Sequence, residues 1–261
     1  MGKIENKFRE LKAKKKKAFI VYIPFGFPSI SLSGKIITSL DKSGVDFIEV
    51  GFPFSDPLAD GTIIQKATQI SLKNGVNPDY FFAGLEKLKS KVKAPLIILT
   101  YYNPVYMLGL KKFLKKSKDA GVGGIMIVDL PIEEAGNYIK EAQKYELDTI
   151  FFVTPATEFE RAQKIMKLCR GFVYYVSVTG ITGPKDFFIK SVLEHIKRLK
   201  SCTDIAICVG FGIHNREQVR KLTKESDGII VGSAIVKYID DHYQEKNFLN
   251  MLSTYVKGFQ E

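Results

Sequence analysis

The stretch Phe19-Ile20-Val21-Tyr22-Ile23 is a short apolar run, rich in β-branched and aromatic residues, that stops at Pro24. Seven similar runs follow at intervals along the chain, at residues 47–50, 96–100, 125–128, 149–153, 172–176, 205–209 and 228–231. Nearly all of them are continuously apolar, which is typical of parallel strands covered on both faces. The sequence therefore predicts eight buried parallel strands.

The segments between these runs carry apolar residues at helical spacing, for example Ile36, Ile37 and Leu40. Eight strands that alternate with helices, without a break in composition, predict an α/β fold, a single (β/α)8 TIM barrel over residues 1–261. We expect two additions, a basic N-terminal helix or tail at 1–17 and an inserted helical segment at 60–72. A doubly wound open sheet gives the same alternation, but the first run lacks the G-x-G-x-x-G that follows it in dinucleotide-binding sheets.

The 261 residues include 39 Lys and Arg against 28 Asp and Glu, a formal net charge of +11, and more than half of this excess lies in residues 1–17. Residues 14–17 have no interleaved aromatic side chains for base stacking, so we expect a solvated face and no nucleic-acid binding. No apolar run is long enough to span a bilayer, so we expect no membrane association. The three cysteines form no C-x-x-C pair, which favours reduced thiols in a cytoplasm or an organelle stroma.

Small-residue loops follow three consecutive strands. Gly210-Phe211-Gly212-Ile213 and Gly232-Ser233-Ala234-Ile235-Val236 follow the seventh and eighth runs, and a Thr-Gly-Ile-Thr-Gly loop at 179–183 follows the sixth. Glycine lets the backbone approach a ligand, and a helix that begins at Ser233 would direct free N–H groups at an anion. Because this is the usual phosphate position in a barrel, the loops indicate a phosphate monoester ligand, although glycines also serve tight turns.

One ionisable residue lies inside the second apolar run. Period-2 alternation places Glu49 on the same face as Phe47, opposite Ile48 and Val50. A carboxyl in an apolar strand is costly unless it is paired or used, and burial would raise its pKa towards a value suited to proton transfer. Glu49 is therefore a candidate general acid/base, with a buried structural carboxylate as the alternative.

The loop after this strand, at residues 53–61, contains Asp56 and Asp60. Asp60 is a second catalytic candidate, although an aspartate here could instead cap the following helix. For Asp129, at the end of the fourth run, we expect a structural role in positioning a loop. The three histidines are scattered, and the sequence gives no metal site.

The residues quoted so far carry a resemblance that covers positions 18 to about 240. Residues 47–61 (FIEVGFPFSDPLADG) closely resemble the signature of tryptophan synthase alpha subunits, and the segments 99–104, 129–131, 174–183, 210–213 and 232–236 follow in the family's order. The resemblance implies a (β/α)8 lyase of tryptophan biosynthesis that cleaves indole-3-glycerol phosphate to indole and glyceraldehyde 3-phosphate.

The resemblance also implies residue roles. Glu49 is similar to the general acid/base that protonates indole C3, Asp60 to the carboxylate that stabilises positive charge at the indole N–H, and Tyr174 to the tyrosine beside the glutamate. The phosphate and indole positions of the family match Tyr22, Leu99, Thr182, Gly183, Phe211, Gly212, Gly232 and Ser233.

A partner is implied as well. The family's beta subunit uses pyridoxal phosphate and receives indole in an alpha2beta2 heterotetramer, so we expect no cofactor in this chain. Positions that resemble the partner interface are Asp56, Tyr101, Asn103 and Pro104.

The chain departs from the family pattern at Phe27 and Thr62. An exposed Phe27 could alter the rim of the site, and Thr62 replaces a proline that would stiffen the catalytic loop. Alternative functions are another phosphate-binding barrel, such as a sugar-phosphate isomerase, or a non-catalytic subunit that only activates its partner. The pair Glu49 and Asp60 argues against both.

Overall fold

A closed barrel of parallel strands forms the centre of the molecule. The computed structural model describes residues 2–177, 185–210 and 212–260. Each strand pairs with its neighbour in sequence, and the last pairs with the first, which excludes the open sheet and confirms the barrel. The strands are β1 Ala18–Pro24, β2 Phe47–Gly51, β3 Leu96–Thr100, β4 Gly124–Ile127, β5 Asp148–Val153, β6 Phe172–Val176, β7 Ala206–Gly210 and β8 Gly228–Val231.

Helices surround the barrel between these strands. The inserted segment after β2 is helical but begins at Thr62 rather than at residue 60, and a short helix after β3, α5, was not predicted. Within the described ranges, none of the helices is long and apolar enough to cross a membrane. The helices are α1 Lys3–Ala13, α2 Ile30–Lys42, α3 Thr62–Lys73, α4 Pro78–Leu88, α5 Tyr102–Leu108, α6 Leu110–Asp119, α7 Gly136–Lys144, α8 Phe159–Leu168, α9 Lys185–Lys200, α10 Arg216–Leu222, α11 Ser233–His242 and α12 Phe248–Lys257.

Strand alternation divides the core into an inner and an outer part. In β2, Phe47 packs inside the barrel with Ile97, Ile150 and other inward residues. Ile48 and Val50 point outward and pack in the larger core between the sheet and the helices. The predicted alternation in β2 is therefore confirmed, and Glu49 lies on the inner face, one layer above Phe47.

Helix α1 closes the N-terminal end of the barrel. Its Ile4 and Leu11 are buried, and the ring of Phe8 stacks on that of Phe47 with 4.7 Å between centroids. The carboxylate of Asp148, at the start of β5, lies at the N-terminus of α1, where burial raises its pKa to about 6 and the backbone N–H groups of Ile4 and Glu5 partly offset this rise. A negative charge at a helix N-terminus is favourable, so Asp148 holds α1 in place.

Candidate active site

The centre of the candidate site is the carboxyl of Glu49. It lies beside Tyr22 in the register of β1 and β2, and Glu49 is 0% exposed. Neither of its side-chain oxygens has a hydrogen-bond partner in the part of the chain that the structure describes. Burial raises the pKa of Glu49 from 4.5 to about 8. At neutral pH the residue is therefore mainly protonated and can donate a proton.

Two tyrosines flank this carboxyl inside the barrel. A methyl group added to Gly51 would lie 2.3 Å from the hydroxyl oxygen of Tyr22, and one added to Gly210 would lie 2.4 Å from that of Tyr174. Because glycine has no Cβ atom, Gly51 leaves room for the ring of Tyr22, and Gly210 leaves room for the ring of Tyr174. Burial, and then the nearby carboxylates of Glu49 and Asp60, raise the pKa of Tyr22 and Tyr174, so both hydroxyls stay protonated. The result is a buried acidic group flanked by two aromatic side chains.

The buried carboxyl makes stability depend on pH. Because the pKa of Glu49 rises from 4.5 to about 8 on folding, the folded chain binds the extra proton between these values. Glu49 contributes its stabilisation fully below pH 4.5, and this is lost as the pH rises through 8. As the pH rises between these two pKa values, we expect the free energy of unfolding to fall by up to about 1.4 kcal/mol per pH unit because of this group.

Urea unfolding of the wild type and of Glu49→Gln at several pH values measures this effect. In the variant, the free energy of unfolding should lack the decrease with pH that Glu49 causes. The stability of the variant relative to the wild type should therefore increase with pH. If the free energies of unfolding of the two proteins changed with pH in parallel, the pKa of Glu49 would not be raised by folding.

The second carboxyl, Asp60, lies in the loop between β2 and α3. The hydroxyl of Tyr101 donates to Asp60 Oδ2 at 3.2 Å and accepts from the backbone N–H of Ala59 at 3.0 Å. Burial raises the pKa of Asp60 to about 6, partly offset by the Tyr101 hydrogen bond. Helix α3 begins after Gly61 without a side-chain cap, so Asp60 does not cap it. Asp60 is thus mainly ionised at pH 7, whereas Glu49 is mainly protonated.

Tyr101 has a role that sequence reasoning missed. The resemblance implies only a place at the partner interface, whereas in the structure Tyr101 is 5% exposed and its hydroxyl holds the Asp60 loop. The ring also packs on Phe54 of the same loop, with 5.3 Å between centroids. The available signal was its position directly after β3, because the C-terminal ends of neighbouring barrel strands and their loops meet at one end of the barrel.

A candidate phosphate position lies at the start of α11. Ser233 is the first residue of this ten-residue helix, and Gly232 precedes it. A methyl group on Gly232 would lie 3.4 Å from Cβ of Tyr22, so this helix end adjoins Tyr22, one of the two tyrosines beside Glu49. Gly212 has φ 72°, a conformation that favours glycine. The other predicted positions here, Thr182, Gly183 and Phe211, lie outside the described residues.

The rim of the site differs from the sequence expectation at Phe27. This side chain is 1% exposed and therefore not on the surface. It lines a cavity of about 350 Å³ between α3 and α11, which also contacts Thr62 and Val236. Phe27 belongs to the larger core between the sheet and the helices, so the expectation of an exposed side chain is wrong. Leu99, the predicted indole-pocket residue on β3, is half-buried and packs against the inner core.

The predicted interface residues other than Tyr101 lie at or near the surface. Asp56 and Asn103 are exposed, and Pro104 is half-buried. Asn103 and Pro104 lie on α5. The start of this helix is held by Asp129, whose Oδ1 accepts a hydrogen bond from the backbone N–H of Tyr102 at 2.7 Å. This confirms the positioning role expected for Asp129. Large apolar side chains are exposed on the same two segments, namely Leu58 at 90%, Tyr102 at 37%, Tyr106 at 68% and Met107 at 75%.

Within the described ranges, no group of three His, Cys, Asp or Glu residues could hold a metal ion. A closed parallel barrel with a protonated carboxyl inside and an ionised one in a βα loop defines the class of barrel enzymes that use acid–base catalysis. The chain belongs to the tryptophan synthase alpha chain family, whose sequence model matches residues 8–261. This family consists of lyases that cleave indole-3-glycerol phosphate in tryptophan biosynthesis.

Individual relatives agree with this assignment. The tryptophan synthase alpha chain of Methanocaldococcus jannaschii is 47% identical over 244 residues, which cover 93% of this chain and 86% of that protein. A crystal structure of tryptophan synthase subunit alpha from Legionella pneumophila has a TM-score of 0.92 at 30% identity, covering 100% and 97% of the two chains. A chain of Mycobacterium tuberculosis tryptophan synthase has a TM-score of 0.89 at 32% identity, covering 99% and 96%.

Proposed function

We propose that Glu49 is the single proton-transferring group of the lyase reaction. Its protonated carboxyl donates a proton to indole C3, which turns the indole ring into a leaving group. The resulting carboxylate, a strong base in its dry pocket, accepts the proton of the glycerol hydroxyl next to that carbon. The bond between the ring and the side chain then breaks, which releases indole and glyceraldehyde 3-phosphate and leaves Glu49 protonated again.

The observation that carries this proposal is the isolation of the Glu49 carboxyl. A buried acid bound to neighbouring donors would be explained by structure alone, but both oxygens of Glu49 lack a partner among the described residues. Unsatisfied buried polar groups of this kind need an explanation, and a reacting substrate supplies one.

Asp60 provides the second charge that this reaction needs. Protonation at C3 places positive charge on the ring nitrogen, and an ionised carboxylate that accepts from the N–H stabilises it. The pKa of about 6 leaves Asp60 mainly ionised at pH 7, and the Tyr101 hydroxyl orients one of its oxygens. We propose that Tyr101 is a positioning residue that acts through Asp60.

The remaining residues bind the substrate. The planar indole fits between the apolar and aromatic walls that Tyr22, Leu99 and Tyr174 provide, and these walls also exclude water. The phosphate fits at the N-terminus of α11, where Gly232 leaves space beside Tyr22 and the first N–H groups have no acceptor within the helix itself. Thr182, Gly183, Phe211 and Gly212 complete the proposed substrate site.

Ser233→Asp tests the phosphate position. An aspartate at the first helical residue favours the helix dipole, so the fold should tolerate it, but it repels a phosphate dianion. We expect KM for indole-3-glycerol phosphate to rise at least about tenfold, which corresponds to about 1.4 kcal/mol, with a smaller change in kcat. Indole release by the purified chain is the measurement, and Ser233→Ala is the neutral control. An unchanged KM in Ser233→Asp would exclude this phosphate position.

We propose that the exposed apolar side chains after β2 and on α5 bind a beta subunit. Leu58, Tyr106 and Met107 form exposed apolar surface next to Asp56, Asn103 and Pro104, and such surface marks interaction sites. In the proposed alpha2beta2 heterotetramer, the beta subunit carries pyridoxal phosphate and receives the indole. The three cysteines are unpaired, in keeping with the cytoplasmic location that we also propose.

Met107→Glu tests this interface. A charge placed in the apolar centre of an interface should weaken binding of a beta subunit about tenfold or more. Isothermal titration of the chain with a purified beta subunit measures the affinity. Tyr80→Glu is the matched control, because Tyr80 is also a large exposed side chain, 57% exposed, but lies on α4. Equal losses in both variants would contradict the proposed surface.

A further inference from the structure

A large cavity lies at the end of the barrel opposite the candidate active site. Its volume is about 980 Å³, within the range of small-molecule sites. It is bounded by α1, by the turn at residues 14–17 and by the segments that lead into β6, β7 and β8, at 169–171, 203–206 and 227. Because these segments precede their strands, the cavity is at the N-terminal face, away from Glu49 and the start of α11.

The walls of this cavity are strongly basic. Seven cationic side chains line it, against three carboxylates, Glu5, Asp204 and Asp227. Five of the positive charges come from α1 and the turn that follows it, and the other two come from the segments before β6 and β7, so three parts of the chain contribute cations to one space. The seven residues are Arg9, Lys12, Lys15, Lys16, Lys17, Arg170 and Lys200.

Only some of these charges are neutralised within the protein. Glu5 pairs with Arg9 at 3.3 Å, and Asp227 pairs with Lys200 at 2.6 Å. Lys17 Nζ donates to the backbone carbonyl of Ser226 at 2.7 Å. Four cations form no ion pair or side-chain hydrogen bond with any residue that the structure describes, namely Lys12, Lys15, Lys16 and Arg170.

Lys15 has an unusual backbone conformation for a lysine. Its φ is 54°, and the N–H of the next residue, Lys16, donates to the carbonyl of Leu11 at 2.9 Å, which closes the end of α1. This position of a helix C-terminus is usually occupied by glycine, since other residues are strained there. The turn thus holds the backbone of Lys15 in a conformation that costs energy for any residue other than glycine, and Lys15 lines the cavity from this turn.

The floor of the cavity is apolar. Phe8, Leu11, Ile205 and Ala206 line it below the basic side chains. Arginine and lysine bind phosphate groups, and several converging cations suit more than one phosphate. We propose that this cavity binds a small molecule of nucleotide size that carries an oligophosphate group on the cations and an apolar or aromatic group on the floor.

The test uses inorganic triphosphate and ATP as probes, with isothermal titration of the Ser233→Asp variant so that the candidate substrate-phosphate position does not contribute. We expect both probes to bind, ATP more tightly because of the floor. The affinity should fall when the salt concentration rises from about 50 mM to about 200 mM, since the contacts are ionic.

Replacing Lys15 by glycine and Lys16 by glutamine in this background should weaken binding of both probes about tenfold or more. The same change should leave the melting temperature equal or higher, because glycine relieves the strain at residue 15. The loss of binding therefore cannot come from unfolding.

The charge-matched control is Lys111→Gln with Lys112→Gln on α6. It also removes two positive charges, but from exposed positions outside the cavity. It should leave both affinities unchanged. An equal loss in this control, or no binding of either probe, would overturn the proposal. Tighter binding of a single-stranded oligonucleotide than of ATP would also overturn it, in favour of a nucleic-acid surface. Equal affinities for ATP and triphosphate would contradict the proposed binding of an apolar or aromatic group on the floor of the cavity.

Discussion

Glu49→Gln is expected to lower the rate of indole release by about 10²–10⁴-fold, the usual contribution of a general acid or base. Glutamine has the size and neutrality of a protonated glutamate but has no acidic proton to donate. Since the Glu49 oxygens make no hydrogen bond with the described residues, the change breaks no contact there. The variant should therefore stay folded and retain its affinity for glyceraldehyde 3-phosphate, because the phosphate position is separate.

Asp148→Asn is the matched control for this change. Asp148 is also a buried carboxyl with a raised pKa, about 6, and one of its oxygens likewise lacks a partner among the described residues. It lies at the opposite end of the barrel, and asparagine keeps an oxygen at the N-terminus of α1, so this substitution should leave α1 in place and kcat in the folded enzyme unchanged. If Glu49→Gln kept more than about a tenth of the wild-type rate, Glu49 would not be the proton donor.

Asp60→Asn is expected to lower kcat by about 10²–10³-fold, as for other groups that stabilise transition-state charge. Asparagine can still accept the Tyr101 hydrogen bond, so the loop should keep its position while it loses its negative charge. The pH profile gives a second readout. Because Asp60 must be ionised and Glu49 protonated, wild-type activity should rise through pH 6 and fall through pH 8.

Asp60→Asn should remove the acidic limb of this profile and leave the alkaline limb in place. Tyr101→Phe is the informative companion variant. The hydroxyl of Tyr101 lowers the pKa of Asp60, so the loss of this hydroxyl should move the acidic limb to higher pH. The decrease in kcat should be smaller than in Asp60→Asn. An acidic limb that persists unchanged in Asp60→Asn would assign that titration to another group.

The barrel and the position of Glu49 follow directly from the sequence. All eight strands lie within about two residues of the predicted bounds, because each is a compact apolar run. Alternation, a local property of a strand, predicts that Glu49 shares a face with Phe47. That this face is the inner one is known from the packing of Phe47 in the closed barrel.

Features that depend on distant segments could not be predicted. Phe27, expected to be exposed where the chain departs from the family pattern, is buried and lines a cavity together with α3 and α11. The hydrogen bond from Tyr101 to Asp60 joins residues 41 positions apart and depends on the conformation of a loop. The basic cavity is likewise formed by α1 together with segments more than 150 residues away.

The contact of α1 with the barrel core links the two ends of the molecule. Phe8 covers Phe47, and Phe47 is two residues, or about 6.6 Å of strand, below Glu49. A displaced α1 would admit water beneath the proton donor, and its pKa would fall towards that of an ordinary glutamate. We therefore expect the acidity of Glu49 to depend in part on a segment that precedes the first strand, so that changes far from the substrate alter the working pH range of the enzyme.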